Sequence, residues 1–339
     1  MTRRLLNSRY LSTLVILFLF VLMFGWGSVA YTGFFSLQNF LNLFIDNAYL
    51  LILAVGMTFV IISGGIDLSV GSMLGLATML SASLVQKSHL SPLLVILIVL
   101  LNGTVLGFFM GCLIQFFDLP PFIITLAGLY LGRGLCYIVS IDTIGISNDF
   151  FQAAAHSQFP VLGDSFVSPS AVIALVVVAI GAYVLRFTRF GRTIYAIGGN
   201  EQSALLMGLP VTRTKIAIYA LSGFCSALAG IVFTFYTLSG YALDGKGMEL
   251  DAIATVVIGG TLLTGGAGSV FGTVLGVLVY GTIQVLIVFQ GTLNSWWTRI
   301  AIGFLVFLFC FLQRLFEARK GTLAVRTTSQ VPAVTASGG

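Results

Sequence analysis

Charge is what this sequence has least of. Lysine, arginine, aspartate and glutamate make up only 8% of 339 residues, whereas a soluble domain carries about 25% to keep its surface wet. A soluble enzyme, a nucleic-acid binder and a disordered scaffold are excluded on that ground. The net charge of +5 is too small and too dispersed for a nucleic-acid footprint. Histidine is nearly absent: His89 and His156 are far apart in sequence and support neither a metal site nor a catalytic base. The four cysteines, Cys112, Cys136, Cys225 and Cys310, lie apart inside apolar runs. They form no CxxC redox or zinc spacing and read as small apolar fillers. No nucleophile, base and orienting acid stand together, so the sequence offers no catalytic residue. The five charges in or beside apolar runs, Asp46, Asp67, Arg133, Asp251 and Arg299, are scattered and form no acid and histidine relay of the kind that drives a proton pump.

What the chain has instead is apolar length. Hydrophobic residues make up 58% and the mean hydropathy is +1.06, which indicates an all-α polytopic membrane protein. A crossing needs about 20 predominantly apolar residues. Candidates fall near 11–30, 42–62, 71–86, 92–116, 121–140, 169–187, 215–237, 251–264, 269–289 and 295–313. Of these ten, 71–86 is short and 251–264 is interrupted by glycines. The first begins like a signal peptide but is too long for one and lacks an A-x-A site, so it reads as a retained span. Residues 1–10 form a short cytoplasmic N-terminus, 11–316 the membrane domain, and 317–339 a disordered cytoplasmic tail without helical period.

Lysine and arginine are retained on the cytoplasmic side. With an inside N-terminus, twelve of the sixteen fall inside, from Arg3, Arg4 and Arg9 through Arg186, Arg189, Arg192, Arg213 and Lys215 to Arg314, Arg319, Lys320 and Arg326. Only Lys87 and Lys246 fall outside. The expected topology is therefore N-in and C-in. The longest outside segment, 141–168, carries Asp142, Asp149, Asp164 and His156 without lysine or arginine, a composition suited to a docking surface.

Thirty-nine glycines require an explanation in helices. Gly103, Gly107 and Gly111, and again Gly268, Gly272 and Gly276, follow GxxxG spacing, which lets neighbouring backbones approach closely in lipid. Two other clusters differ in kind. Ser63, Gly64, Gly65, Asp67, Ser69 and Gly71 place a charge, hydroxyls and helix breakers between two spans; Gly259, Gly260, Thr264 and Gly265 to Gly268 do so later. Helix breaks at membrane depth survive only in protein or beside a watery cavity and commonly mark transport sites; the alternative for the first cluster is an ordinary tight turn. The two fall on the same side in this topology, and GSMLG after the first is echoed by GSVFG after the second.

Asp46, Asp67, Arg133, Asp251 and Arg299 lie in or beside spans, where charge is expensive and must face the bundle interior, a cavity or an interface. Arg133, between Gly132 and Gly134, reads either as a path or gating residue or as half of an ion pair with an acid such as Asp46. The stretch from Gly240 to Gly247 matches GxxxxGK, but glycine replaces the hydroxyl that a phosphate loop requires for magnesium. In the long inside loop, about 186–215, Asn200 is a good helix N-cap, Glu201 complements the dipole, and Gly208 suits the C′ position. A two-turn helix results, with Ala204, Leu205 and Met207 available for contact. It is too short to be stable alone, so it must rest on something.

Three blocks here resemble a known family. GMTFVIISGGIDLSVGS, Gly56 to Ser72, resembles the signature of ribose-type permeases of bacterial ABC importers. GRTIYAIGGNEQSALLMGLP, Gly191 to Pro210, is similar to that family's cytoplasmic coupling segment, and ELDAIATVVIGGTLLTGGAGSVFGT, Glu249 to Thr273, to its third block. Within the family, YAIGGN, GYAL and GTLNSWWTRIAIG most resemble permeases of galactofuranose importers.

The resemblance implies a sugar-translocating subunit in the bacterial inner membrane that binds no cofactor itself and depends on ATP hydrolysed by separate cytoplasmic ABC ATPase subunits. It implies a second permease subunit, with a heterodimer favoured, a periplasmic sugar-binding protein, and no nucleic acid. It places the ATPase-coupling role on Gly198, Asn200, Ser203, Ala204, Met207 and Gly208; Ser203 and Ala204 stand where family members often have two alanines. The path candidates are Ser63, Gly64, Gly65, Asp67, Ser69, Gly71, Arg133, Gly259, Gly260 and Thr264. Carriage of branched-chain amino acids, or self-sufficient secondary transport, are the competing readings. The mostly neutral path candidates suit a sugar better than a zwitterion.

Overall fold

The structure is a computed structural model that describes residues 8–292, 294 and 296–311. Arg3, Arg4, Arg314, Arg319, Lys320, Arg326 and the expected tail at 317–339 lie outside the described residues. The chain is overwhelmingly helical, in the order α1 (Ser8–Ala30), α2 (Leu37–Asp46), α3 (Ala48–Ile62), α4 (Val70–Gln86), α5 (Pro92–Phe116), α6 (Pro121–Val139), α7 (Asp149–His156), α8 (Pro169–Phe187), α9 (Arg189–Gly199), α10 (Glu201–Leu206), α11 (Val211–Thr237), α12 (Met248–Ile258) and α13 (Val270–Gln290), with α14 at Trp296–Phe311.

Six helices are long and apolar enough to cross a bilayer: α1 from Thr13, α5, α6, α8, α11 and α13. The α2 and α3 pair, bent by 57° at Asn47, adds a seventh if it is one broken span, and α4 and α14 are shorter apolar helices. The apolar run at 251–264 is not a continuous helix. It begins at Met248 and stops at Ile258, because Gly259 and Gly260 turn the chain before a full crossing is built.

Helix starts follow local chemistry. Proline occupies the first turn of α5, α6 and α8, where its missing N–H costs nothing, and Ser168 Oγ accepts from Ala171 N at 3.3 Å ahead of α8. The centre is α3, apolar on every side, with 14 of its 15 residues buried. A helix without a polar stripe belongs inside, and α3 is packed against α8, α11, α12 and α13. The outer helices turn large apolar side chains outward, among them Phe18, Leu97, Leu101, Phe108, Ile123 and Ile138, as contact with acyl chains requires.

The glycine strips serve close packing. A Cβ on Gly103 would lie 2.5 Å from the Gly223 carbonyl oxygen of α11, and one on Gly107 would collide with the Tyr219 carbonyl. The second strip does the same for α12 and α13: Gly272 abuts the Gly259 carbonyl and Gly276 the Thr255 carbonyl. Gly107→Leu must force α5 and α11 apart, an overpacking cost of about 1–3 kcal/mol or more. The expected result is a large drop in chain accumulated in the membrane and a lower melting temperature in detergent; a normal level would refute the close approach.

The acidic segment at 141–168 contains strands where none was expected. β1 (Ile144–Gly145) pairs antiparallel with β4 (Ser239–Gly240), and β2 (Phe159–Leu162) forms a hairpin with β3 (Ser165–Val167). Gln38 of α2 pins the hairpin, accepting from Phe166 N at 2.8 Å.

Candidate functional site

The two helix breaks are built alike. At the end of α3, Gly64 N donates to Ile61 O and Gly65 N to Val60 O, at 2.9 and 3.0 Å. At the end of α12, Gly260 N donates to Val257 O and Thr261 N to Val256 O, at 2.9 and 3.2 Å. Both are Schellman closures with a left-handed glycine at C′; φ is +84° at Gly64 and +85° at Gly260. The structural repeat is therefore the paired turn at Gly64 and Gly260. The GSMLG and GSVFG echo falls in different registers: GSMLG lies inside α4, whereas GSVFG straddles the Ser269 cap of α13.

These turns meet, and the end of α9 meets both. Gly266 N donates to Ile62 O at 2.8 Å, satisfying a carbonyl that the end of α3 leaves without an intrahelical partner. Tyr195 of α9 donates its hydroxyl to Gly268 O at 2.7 Å. A Cβ on Gly198 would collide with Ile62 O and Gly266 N, and a Cβ on Gly265 would lie 3.0 Å from the Gly198 carbonyl oxygen. Three turns thus touch through main-chain groups and the Tyr195 hydroxyl.

The helix expected after Asn200 is α10. The Asn200 side chain accepts from Ser203 N at 2.8 Å, the N-cap read from sequence. Gly208 takes φ +74°, and a third Schellman closure follows, with Gly208 N to Leu205 O and Leu209 N to Ala204 O. Ala204 does not face outward: it is fully buried against Ile197 and Val211. The residues that do are Leu206, 90% exposed, Met207, 66%, and Leu205, 52%. Glu201 pairs with Lys215 of α11 at 2.8 Å. That pair is solvent-exposed on the Glu201 side, so Glu201→Gln is expected to cost less than about 1 kcal/mol, a barely measurable change in melting temperature.

Within the first break, Asp67 is fully buried and both of its carboxyl oxygens are met by hydrogen bonds. Oδ1 accepts from Ser69 N and Ser69 Oγ at 2.9 and 2.6 Å, and Oδ2 accepts from Ser222 Oγ of α11 at 2.6 Å. Ser222 was absent from the sequence reading. It sits one turn from Tyr219, whose hydroxyl lies against Gly65, and this polar face on an otherwise apolar helix was the available signal.

Arg133 belongs to a different place, and Asp46 is not its partner. Arg133 Nη1 of α6 donates to Ala242 O and Asp244 O at 2.5 and 2.8 Å, securing the loop between α11 and α12 to α6. Asp244 Oδ2 accepts from Thr78 Oγ1 and Tyr241 N at 3.0 and 2.9 Å; burial pushes its carboxyl up, against the pull of Tyr241, Thr78 and Arg133. The GxxxxGK stretch is this loop, with Asp244 N and Lys246 N donating to Tyr241 O and Leu243 O within the loop itself. Gly71 abuts Gly245 and Glu249. The path candidates therefore divide. Gly64, between Ser63 and Gly65 in the chain, meets Thr264 and Gly265 near the α9 end, Gly71 and Arg133 gather around the 242–245 loop, and Asp67 is bonded to Ser69 and to Ser222 of α11. Thr264 is exposed, whereas Gly259 is buried against Gly272.

Residues 39–310 match the family described as branched-chain amino acid transport system / permease component. The chain belongs to that family. Among the relatives of this permease, the inner membrane ABC transporter permease protein YjfF of Escherichia coli (strain K12) is 47% identical, covering 94% of this chain and 97% of that protein. The fructose import permease protein FruG of Bifidobacterium longum is 42% identical, with 93% and 94% covered. The ribose import permease protein RbsC of Haemophilus influenzae is 41% identical, with 83% and 85% covered. The resemblance to ribose-type permeases read from Gly56 to Ser72 is borne out. No solved structure matches the permease.

Proposed function

We propose that this chain is the membrane-spanning subunit of an ATP-driven importer for a monosaccharide, resident in the bacterial inner membrane and without catalytic residues of its own. The observation that carries the reading is the mounting of α10. Its apolar tip, Leu206 and Met207, stands exposed, while its root at Gly198 is wedged between both helix breaks. A partner that grips the tip moves the root, and the root cannot move without displacing the turns at Gly64 and Gly265.

Gly198, Asn200, Ser203, Ala204, Met207 and Gly208 divide this labour in our reading. Gly198 transmits, Asn200, Ala204 and Gly208 shape and seat the helix, and Ser203 and Met207 join Leu206 at the face presented to a cytoplasmic ABC ATPase. Transport is then a shift between bundle conformations of differing affinity for that partner. A second permease, expected to be a different chain, completes the path, and a periplasmic binding protein delivers the sugar. The motifs YAIGGN, GYAL and GTLNSWWTRIAIG support galactofuranose as the narrower cargo.

The test is reconstitution in proteoliposomes. Uptake is expected only when the chain is assembled with its partner permease, ATPase and sugar-loaded binding protein, and it should persist when ion gradients are collapsed. Uptake by the chain alone, driven by an ion gradient, would establish secondary transport instead.

A further inference from the structure

A cleft of about 250 Å3 lies where α12, α13 and α14 meet, lined by Asp251, Tyr280, Gln284, Trp296, Thr298 and Arg299. Its chemistry is unlike the lipid-facing surface around it. Asp251 comes from the first turn of α12, Tyr280 lies midway along α13 with Gln284 one turn further, and the other three open α14. The Tyr280 hydroxyl faces the Asp251 carboxylate. The Arg299 guanidinium stands 5.4 Å from the ring centre of Trp296. Among the described residues the ion pair within 4.0 Å is Lys215 with Glu201, so Asp251 and Arg299 face one cleft without closing on each other.

We propose that this cleft is a transit site for a single neutral monosaccharide, held by Trp296 on its ring face and by Asp251, Arg299 and Gln284 at its hydroxyls. The proposal rests on the importer reading above and adds where the permease itself touches cargo. A sugar hydroxyl both donates and accepts, so it can give its proton to Asp251 while accepting from Arg299, filling the gap that the two side chains leave. The acid and base sum to zero, which penalises an ion of a single sign; a zwitterion such as leucine is the competing occupant, and the experiment below decides against or for it. Trp296 is 65% exposed and offers a broad apolar wall; a few convergent polar groups beside such a wall are the usual make-up of a small-molecule site. The volume falls just under the about 300–1,000 Å3 of drug-sized ligands, which suits one sugar ring. A conducting path needs sites weak enough to release their cargo, and an open cleft meets that need.

The experiment is saturation-transfer NMR on the full chain in lipid nanodiscs with ribose, fructose, allose and galactose, and with leucine as the zwitterionic probe. At least one sugar is expected to show transfer at millimolar concentration, displaced by another sugar and not by leucine. Trp296→Ala should weaken it about tenfold and Gln284→Ala several-fold. Trp296→Phe should restore it, and Trp26→Ala, remote in sequence at the end of α1, should leave it unchanged, which separates loss of the site from loss of the fold. Transfer to leucine in place of sugar, to no sugar, or equally to Trp296→Ala would overturn the proposal. ATP-driven uptake by the assembled importer is read in parallel. Uptake that survives a dead cleft removes the transit site alone, whereas absence of uptake by the wild-type assembly removes the importer reading.

Discussion

Replacing Leu206 and Met207, at the end of α10, by aspartate is expected to abolish ATP-driven uptake while the chain reaches the membrane at its normal level. The two side chains are exposed and contribute nothing to the core, so the substitution is cheap in the isolated permease. At an interface the balance reverses. A carboxylate buried without a partner costs about 3–5 kcal/mol, and each 1.4 kcal/mol is about tenfold in affinity, so two of them weaken ATPase docking by well over a hundredfold. Co-purification of the ATPase and uptake of labelled sugar are the measurements, with immunoblotting of the membrane fraction as the control. Near-normal uptake in the double variant would show that α10 is not where force enters.

The second large effect comes from one methyl group. Gly198→Ala is expected to reduce uptake at least tenfold, whereas Gly199→Ala, one residue along, is expected to be silent. At Gly198 the new Cβ meets the Ile62 carbonyl and the Gly266 amide, which are main chain and cannot rotate away; at Gly199 nothing lies within 4 Å. The clash is of the overpacking kind, about 1–3 kcal/mol or more, and falls on the joint between α10 and both breaks. ATPase activity decoupled from sugar movement would be the signature of a joint that has opened. Equal uptake in the two variants would mean that Gly198 tolerates separation from the breaks and transmits nothing.

Much of the fold was legible because it is local. The span read at 92–116 is α5 and the span read at 169–187 is α8, since a proline at N1 and an unbroken apolar run fix both ends. The run at 251–264 misled because hydropathy counts glycine as filler, while Gly259 and Gly260 end α12 after 11 residues. α9 was hidden in a loop rich in arginine, and its cap, Thr188 Oγ1 accepting from Gly191 N at 3.2 Å, was a local signal left unused.

The candidate site divides in the same way. Asn200 and Gly208 act on neighbours three residues away or fewer, so their roles at the ends of α10 could be read directly. Ala204 was read as a contact residue because its type carries no sign of which side of a short helix is covered. Asp67 needed Ser222, 155 positions distant. Arg133 needed two carbonyl oxygens, and main-chain acceptors leave no trace in a sequence, so an acid such as Asp46 was the natural but mistaken partner.

The joint at Gly64, Gly198 and Gly265 is made of peptide groups, and peptide groups are the same in every protein. On the proposed coupling, residues that choose a cargo can therefore change elsewhere in the bundle without retuning how the motor's stroke is received. If the joint transmits as proposed, a lineage built on it is able to diversify what it carries while keeping one transmission.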